Sequence, residues 1–218
     1  MNNKIISLKH LIIGGILFLI SFLNIDLLIW INSGLSHISI YYLVWIFLLL
    51  ALKGVFCREE KIFTNFSIKL FLWYMLLVTG LVLLNELIEY LLRFPEEPTM
   101  AIYKRRVSLH ITNADVLSFI LPTILFPPIK EELTFRFFLL SGINYKLNKY
   151  TELSSVIITA FLFSLAHFWV YRYFTTFVWL FIIGAVYAHA RIKSNSIILP
   201  MLLHSYTIIL MLAIQQLM

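Results

Sequence analysis

Three ionisable side chains, Glu131, His167 and His204, lie in separate apolar runs of the chain. A carboxylate can take a proton from water, one imidazole can share that proton, and a second imidazole can donate a hydrogen bond to the oxygen that becomes negative when a carbonyl carbon is attacked. One glutamate and two histidines are therefore the smallest set that activates water against an amide. Each histidine taken singly is equally explained as a hydrogen-bonded residue between helices.

The glutamate belongs to a short polar segment, Lys130-Glu131-Glu132-Leu133-Thr134-Phe135-Arg136, which directly follows Pro127-Pro128. Prolines at a helix start, acids in the first turn and a base one turn later predict a helix that begins near Pro128. Glu132 and Arg136 are four residues apart on one helix face, and we expect them to form a salt bridge. Glu131 lies about 100° around the helix from Glu132. It therefore either caps its own helix terminus or serves as a general base.

The same side chains also form a potential metal site. Two histidines and one glutamate are a known set of zinc ligands, so Glu131, His167 and His204 are the candidate ligands if a zinc ion is present. The HExxH signature of soluble zinc proteases is absent, so the spacing gives zinc no support and the cofactor stays open between zinc and none. A serine mechanism is disfavoured because no GxSxG segment occurs, and Ser164 and Ser205 are explained as interhelical hydrogen-bonding residues.

The elements that carry these residues are apolar enough to lie in a membrane. Of the 218 residues, 61% are hydrophobic and 13% are charged, whereas soluble domains have about 45–50% apolar and about 25% charged residues. A run of about 20 apolar residues can cross the bilayer core. The sequence offers such runs at Leu11 to Ile31, Ile38 to Phe56, Phe66 to Leu92, Ala114 to Ile143, Leu153 to Val170, Tyr173 to Ala190 and Ile197 to Leu217.

The run from Ala114 to Ile143 is too long for one straight span. Pro122 and Pro127-Pro128 interrupt it, which predicts one helix before Phe126 and a second helix after it. We therefore expect an all-α, multi-pass integral membrane bundle of seven or eight transmembrane helices, with the lipid bilayer as its surroundings.

The charge balance fits the same class. The chain has 17 Lys and Arg against 11 Asp and Glu, a formal net charge of +6. These basic residues lie mostly between the apolar runs, where they meet anionic headgroups. No basic face with interleaved aromatic residues occurs, so we expect no nucleic-acid partner.

The order of the motifs resembles one family of membrane proteases. The sequence has EExxxR at Glu131, Glu132 and Arg136, then FxxxH at Phe163 and His167, and then the late histidine. This order on successive hydrophobic helices is similar to the CPBP family, the CAAX-protease and bacteriocin-processing (Abi) group of intramembrane endopeptidases. We accordingly predict two parts, amino-terminal transmembrane helices outside the motifs over residues 1–112 and a catalytic helical core over residues 113–218.

The resemblance implies a role for each motif residue. In such a protein Glu131 and His167 activate water within a conical cavity of the bundle, and His204 helps to stabilise the oxyanion. Glu132 and Arg136 orient the helix that carries the first motif. The family has been called metalloprotease, yet a glutamate-dependent mechanism describes its prenyl-protein members better.

One position departs from the family pattern, which is often HxxxN. Ile208 occupies the fourth place after His204, so a second oxyanion donor is missing. Thr207 lies on nearly the same helix face and is a candidate to replace it. Equally, other members of the family tolerate an apolar residue at this position.

The resemblance implies an endopeptidase whose substrate is a peptide or a membrane protein. Peptide maturation, bacteriocin self-immunity and regulated proteolysis are the expected settings, and the bacterial plasma membrane is the expected location. The alternative from another class is a non-catalytic scaffold that binds a membrane partner such as a sensor kinase. Inactivating Glu131 separates the two, because a scaffold keeps its phenotype. A transporter is disfavoured, since it requires inverted repeats and paired broken helices.

Overall fold

The computed structural model describes residues 2–22, 45–53, 67–94, 124–143, 149–168, 170–171 and 173–217. Within these residues there are seven helices and no strand, so the predicted all-α class is confirmed for them. The helices are α1 (Asn2–Phe22), α2 (residues 45–53), α3 (Ile68–Leu92), α4 (residues 126–143), α5 (Lys149–Ala166), α6 (Phe174–Ser194) and α7 (Ile198–Leu217).

Helix α4, which carries the EExxxR motif, begins at the paired prolines as predicted. Its first stretch, Phe126–Glu132, is α-helical and has the prolines in the first turn. Backbone N–H groups in the first turn have no acceptor within the helix, so the missing N–H of proline costs no hydrogen bond there. Leu133–Leu139 is π-helical, so that the N–H of Leu140 donates to the carbonyl oxygen five residues back. Leu140–Ile143 is α-helical again. The helix predicted before Phe126 falls on residues 114–125, of which only Ile124 and Leu125 are among the described residues.

Helices α3, α6 and α7 share one apolar core. Its buried members are Tyr74, Val78 and Val82 from α3, Trp179, Ile183, Tyr187 and Ala190 from α6, and Leu199 and Leu203 from α7. This core places the late histidine of α7 next to α6.

Helix α1 crosses α4 with almost no space between the two backbones. A Cβ atom at Gly14 would lie 2.9 Å from the backbone nitrogen of Leu139, and one at Gly142 would lie 2.8 Å from the backbone nitrogen of Leu11. Only glycine permits such an approach without a shift of either helix. Helix α1 therefore packs directly against the π-helical stretch and the end of α4.

Two of the described helices are long and apolar enough to cross a membrane, Ile68–Leu92 and Phe174–Ser194. Shorter apolar stretches occupy Leu8–Ile20 and Ile198–Ile214. Large side chains of α3, among them Trp73 and Leu76, point away from the core and are more than half exposed. The total of seven or eight spans stays a prediction, because several of the predicted runs extend beyond the described residues.

Candidate active site

The structure brings together the three side chains singled out in the sequence. Oε2 of Glu131 lies 3.7 Å from Nε2 of His167 and 3.8 Å from Nε2 of His204. The three side chains come from α4, from the residue that follows α5, and from α7. Each keeps between one tenth and one fifth of its side-chain surface exposed, so the centre is enclosed but accessible.

The hydrogen bond of His167 determines which ring nitrogen carries the proton and which one faces Glu131 as an acceptor. Nδ1 lies 2.8 Å from the carbonyl oxygen of Phe163. Because a carbonyl oxygen only accepts, Nδ1 carries the proton, and Nε2 of the neutral ring has a lone pair. That lone pair points toward Glu131.

His204 is oriented in the same sense by the second glutamate. Its Nδ1 lies 3.0 Å from Oε1 of Glu132, and that oxygen is also 3.2 Å from Nη1 of Arg136. The predicted salt bridge between Glu132 and Arg136 is confirmed. Glu131 and Glu132 are about 100° apart around the helix axis. Both nevertheless contact the imidazole of His204, because its Nδ1 faces Glu132 and its Nε2 faces Glu131.

Arg136 lies in the middle of the bundle with no exposed surface. Besides the carboxylate, its guanidinium donates from Nη2 to the carbonyl oxygen of Gly184 at 2.9 Å. The guanidinium carbon also lies 4.4 Å from the centre of the Phe163 ring, within the range of a cation–π interaction. Arg136 thus connects α4 with α5 and α6 and holds Glu132 against His204.

Phe163 occupies the space between the two histidines. Its ring is 4.8 Å from that of His167 and 5.8 Å from that of His204, measured between centroids. Because it is almost fully buried, this side chain excludes water from the inner side of the centre. A supporting role for Phe163, the first residue of the FxxxH motif, stays a prediction.

The hydroxyl of Thr207 makes two hydrogen bonds in the structure. It donates to the carbonyl oxygen of Leu203 at 2.8 Å and accepts from the hydroxyl of Tyr187 at 2.6 Å. A hydroxyl has one proton, so in this conformation Thr207 has none left for an oxyanion. Its role as the substitute donor stays a prediction that requires the hydroxyl to turn away from Leu203. Ile208 packs against Leu212 in a small apolar cluster.

The centre has an excess of acceptors. Oε2 of Glu131 is buried and makes no hydrogen bond with the described residues. The Nε2 atoms of His167 and His204 also carry lone pairs when their rings are neutral. Three converging acceptors are stabilised by a water molecule that donates two hydrogen bonds, by an added proton, or by a cation.

The donor types suit zinc, because both Nε2 atoms are free to ligate and both Nδ1 atoms bond to an acceptor, as is usual around metals. As placed, however, no group of three or more His, Cys, Asp or Glu residues in the described part of the chain has the geometry of a metal site. The zinc ligand set of Glu131, His167 and His204 therefore stays a prediction, and no step below runs through a metal.

Sequence reasoning did not single out the carbonyl of Gly184 or the ring of Tyr187, both on α6 and both in contact with the motif residues. Neither residue belongs to a motif, and their contacts depend on how α6 crosses α4 and α7. The expectation for Ser164 is confirmed, since its hydroxyl donates to the carbonyl oxygen of Phe177 on α6 at 2.8 Å.

The geometry places the chain among helical proteins with an enclosed carboxylate–histidine centre. Residues 113–209 match the family model described as "Rce1-like: Type II CAAX prenyl endopeptidase Rce1-like". The matched segment, which is slightly less than half of the chain, is similar to the CPBP family, a family of integral membrane proteases. Comparisons with curated proteins and with solved structures gave no match. All the predicted site residues lie within the matched segment, whereas the proposed division at residue 112 stays a prediction.

Proposed function

We propose that the chain is an intramembrane endopeptidase in which Glu131 is the general base that activates water. The observation that carries the proposal is the approach of both histidine Nε2 atoms to the same oxygen of Glu131, at 3.7 and 3.8 Å. A water oxygen placed about 2.8 Å from both Glu131 and His167 can donate one proton to each, which is the arrangement of an activated nucleophile.

The reaction then follows the chemistry of amide hydrolysis. The water oxygen attacks the carbonyl carbon, Glu131 takes the proton, and the carbonyl oxygen becomes negative. In the second step the protonated Glu131 delivers this proton to the amide nitrogen, the C–N bond breaks, and a carboxylic acid and an amine leave. A base of this kind typically contributes a factor of about 10² to 10⁴ to the rate.

His204 is the residue that we assign to the oxyanion. Its Nδ1–H bonds to Glu132, so its Nε2 donates only when the ring carries two protons. Arg136 pairs with Glu132, so the carboxylate that holds the His204 ring is not an isolated buried charge.

The substrate class follows from the family and from the enclosed site. We propose that the enzyme is a multi-pass protein of the bacterial plasma membrane and that its substrate, a peptide or a membrane protein, enters the site from the bilayer. The substrate is cleaved in peptide maturation, bacteriocin immunity or regulated proteolysis. The similarity to CAAX prenyl endopeptidases also makes a prenylated CAAX peptide a substrate to test.

The test uses the purified full chain in detergent with two probes, a farnesylated CAAX peptide and a library of unmodified apolar peptides. Cleavage products are identified by mass spectrometry for the wild type, Glu131→Gln and the control Glu89→Gln. Glu89 is a half-buried carboxylate of α3 that accepts a hydrogen bond from Asn85, so its replacement tests for a general effect of losing such a charge.

The proposal predicts products from the wild type and from Glu89→Gln, and none from Glu131→Gln. If the wild type cleaves neither probe, or if Glu131→Gln cleaves as well as the wild type, the proposal is wrong. In the second case a phenotype that survives Glu131→Gln would favour the non-catalytic scaffold.

A further inference from the structure

Tyr187 lies against the candidate oxyanion histidine although it belongs to no sequence motif. Its ring centroid is 5.0 Å from that of His204, and the two planes are inclined by only 25°. The side chain is almost fully buried. The tyrosine ring therefore lies against one face of the imidazole in an offset stack.

Of the rings near His204, Phe163 does not stack on the imidazole, because the two rings are nearly perpendicular at 79° with centroids 5.8 Å apart. Glu132 holds the imidazole at a single point, Nδ1. One hydrogen bond and one perpendicular ring contact permit the imidazole to tilt. A parallel neighbour restricts the tilt, because tilting would drive the imidazole into it.

The ring and the hydroxyl of Tyr187 have separate partners. The hydroxyl donates to Thr207, while the ring faces His204 and also lies 5.4 Å from the guanidinium carbon of Arg136. The face of an aromatic ring attracts cations. The Tyr187 ring thus packs between the imidazole of His204 and the guanidinium of Arg136.

We infer that Tyr187 is a positioning residue for His204, whose ring keeps Nε2 of His204 directed at Glu131. The catalytic consequence of this inference rests on the proposed function. The positional consequence does not, because the contact between the two rings exists whether or not a peptide is cleaved.

The kinetic test compares Tyr187→Phe, which keeps the ring, with Tyr187→Leu, which removes it. The matched control is Tyr74→Leu, because Tyr74 is a buried tyrosine of the same core whose hydroxyl bonds to His189 at 2.7 Å. We expect kcat to fall by roughly fivefold to thirtyfold in Tyr187→Leu, given the strength of aromatic stacking and cation–π contacts, with KM within about twofold. Tyr187→Phe and Tyr74→Leu should keep kcat within about twofold.

A second measurement does not depend on turnover. Diethyl pyrocarbonate reacts with accessible imidazole nitrogens, and mass spectrometry measures the rate at each histidine. We expect labelling of His204 to rise several-fold in Tyr187→Leu and to stay at the wild-type rate in Tyr187→Phe. His167 serves as the internal reference and should not change in either variant. If Tyr187→Leu does not fold, Tyr187→Met replaces it.

Unchanged labelling of His204 in the ring-deleted variant would overturn the inference, and so would an equal rise at His167. A loss of kcat in Tyr187→Phe as large as in Tyr187→Leu would assign the effect to the hydroxyl instead, against the inference. A wild type that cleaves no peptide contradicts the proposed function alone, and the labelling then decides the role of Tyr187.

Discussion

Replacing Arg136 by methionine removes the cation that faces the buried Glu132 carboxylate but keeps most of the apolar stem. Neither side chain has any exposed surface, and their charged atoms are 3.2 Å apart. Removing one partner of a buried ion pair costs about 3–5 kcal/mol, because the remaining charge has no compensation. The same cost applies to Glu132→Gln, which leaves the guanidinium without its carboxylate. For a chain of this size each single change should lower Tm by roughly 6–20 °C.

The double variant Glu132→Gln/Arg136→Met should be much less destabilised than the sum of the two. Both charges of the pair are removed, and the amide oxygen of the new glutamine can still accept from Nδ1 of His204. What is lost is the hydrogen bond from Arg136 to the carbonyl oxygen of Gly184, which still accepts a bond within α6, and a hydrogen bond from a charged donor contributes about 1.5–3 kcal/mol. We therefore expect the double variant to cost about 1.5–3 kcal/mol, compared with about 6–10 kcal/mol for additive changes.

The assay is thermal unfolding of the purified protein in detergent, with folded yield from size-exclusion chromatography. Glu89→Gln is again the control and should shift the free energy of unfolding by less than about 1 kcal/mol, since its carboxylate is partly exposed. Additive losses in the double variant would refute the reasoning, because they would mean that the two charges do not interact.

Three further changes test other parts of the structure. Gly14→Ala should lower Tm, because its methyl group would meet Leu139, whereas Gly15→Ala should not, because nothing lies within 4 Å of a Cβ atom there; equal effects would contradict the close crossing of α1 and α4. Ile208→Asn should keep or raise the cleavage rate per folded molecule, because it supplies an oxyanion donor. Thr207→Val should change this rate by less than about threefold, because the Thr207 hydroxyl donates its hydrogen bond to the carbonyl oxygen of Leu203. A tenfold loss in Thr207→Val would show that the hydroxyl turns toward the oxyanion. Elemental analysis of active protein should find well under one zinc per chain, and chelators should leave the cleavage rate unchanged. Stoichiometric zinc that is lost together with activity would instead make Glu131, His167 and His204 its ligands.

Local features of α4 were predictable from the sequence because they depend on neighbours along the chain. Pro127-Pro128 predicted the helix start, and the spacing of Glu132 and Arg136 predicted their ion pair. The divergence of Glu131 from Glu132 also followed from helix geometry alone. These contacts are set within one or two turns, where the helical period is known in advance.

The contacts between helices were not predictable in the same way. Five of the seven residues in the π-helical stretch Leu133–Leu139 are apolar, and the two polar ones, Thr134 and Arg136, do not reveal the change of period. The bond from Arg136 to Gly184 and the stacking of Tyr187 on His204 depend on the angles at which α6 crosses its neighbours. The motifs indicated which side chains meet but not the residues that hold them.

The role of Glu131 is tested most directly by the turnover numbers of Glu131→Asp and Glu131→Gln on one peptide that the wild type cleaves. Aspartate keeps a carboxylate but withdraws it from the two histidines, and glutamine keeps the length but cannot take a proton. If Glu131 is the general base, the wild type is fastest, Glu131→Asp retains a small part of the rate, and Glu131→Gln is slower than the wild type by about 10² or more at an unchanged folded yield. A Glu131→Gln protein that cleaves within tenfold of the wild-type rate would contradict this role of Glu131.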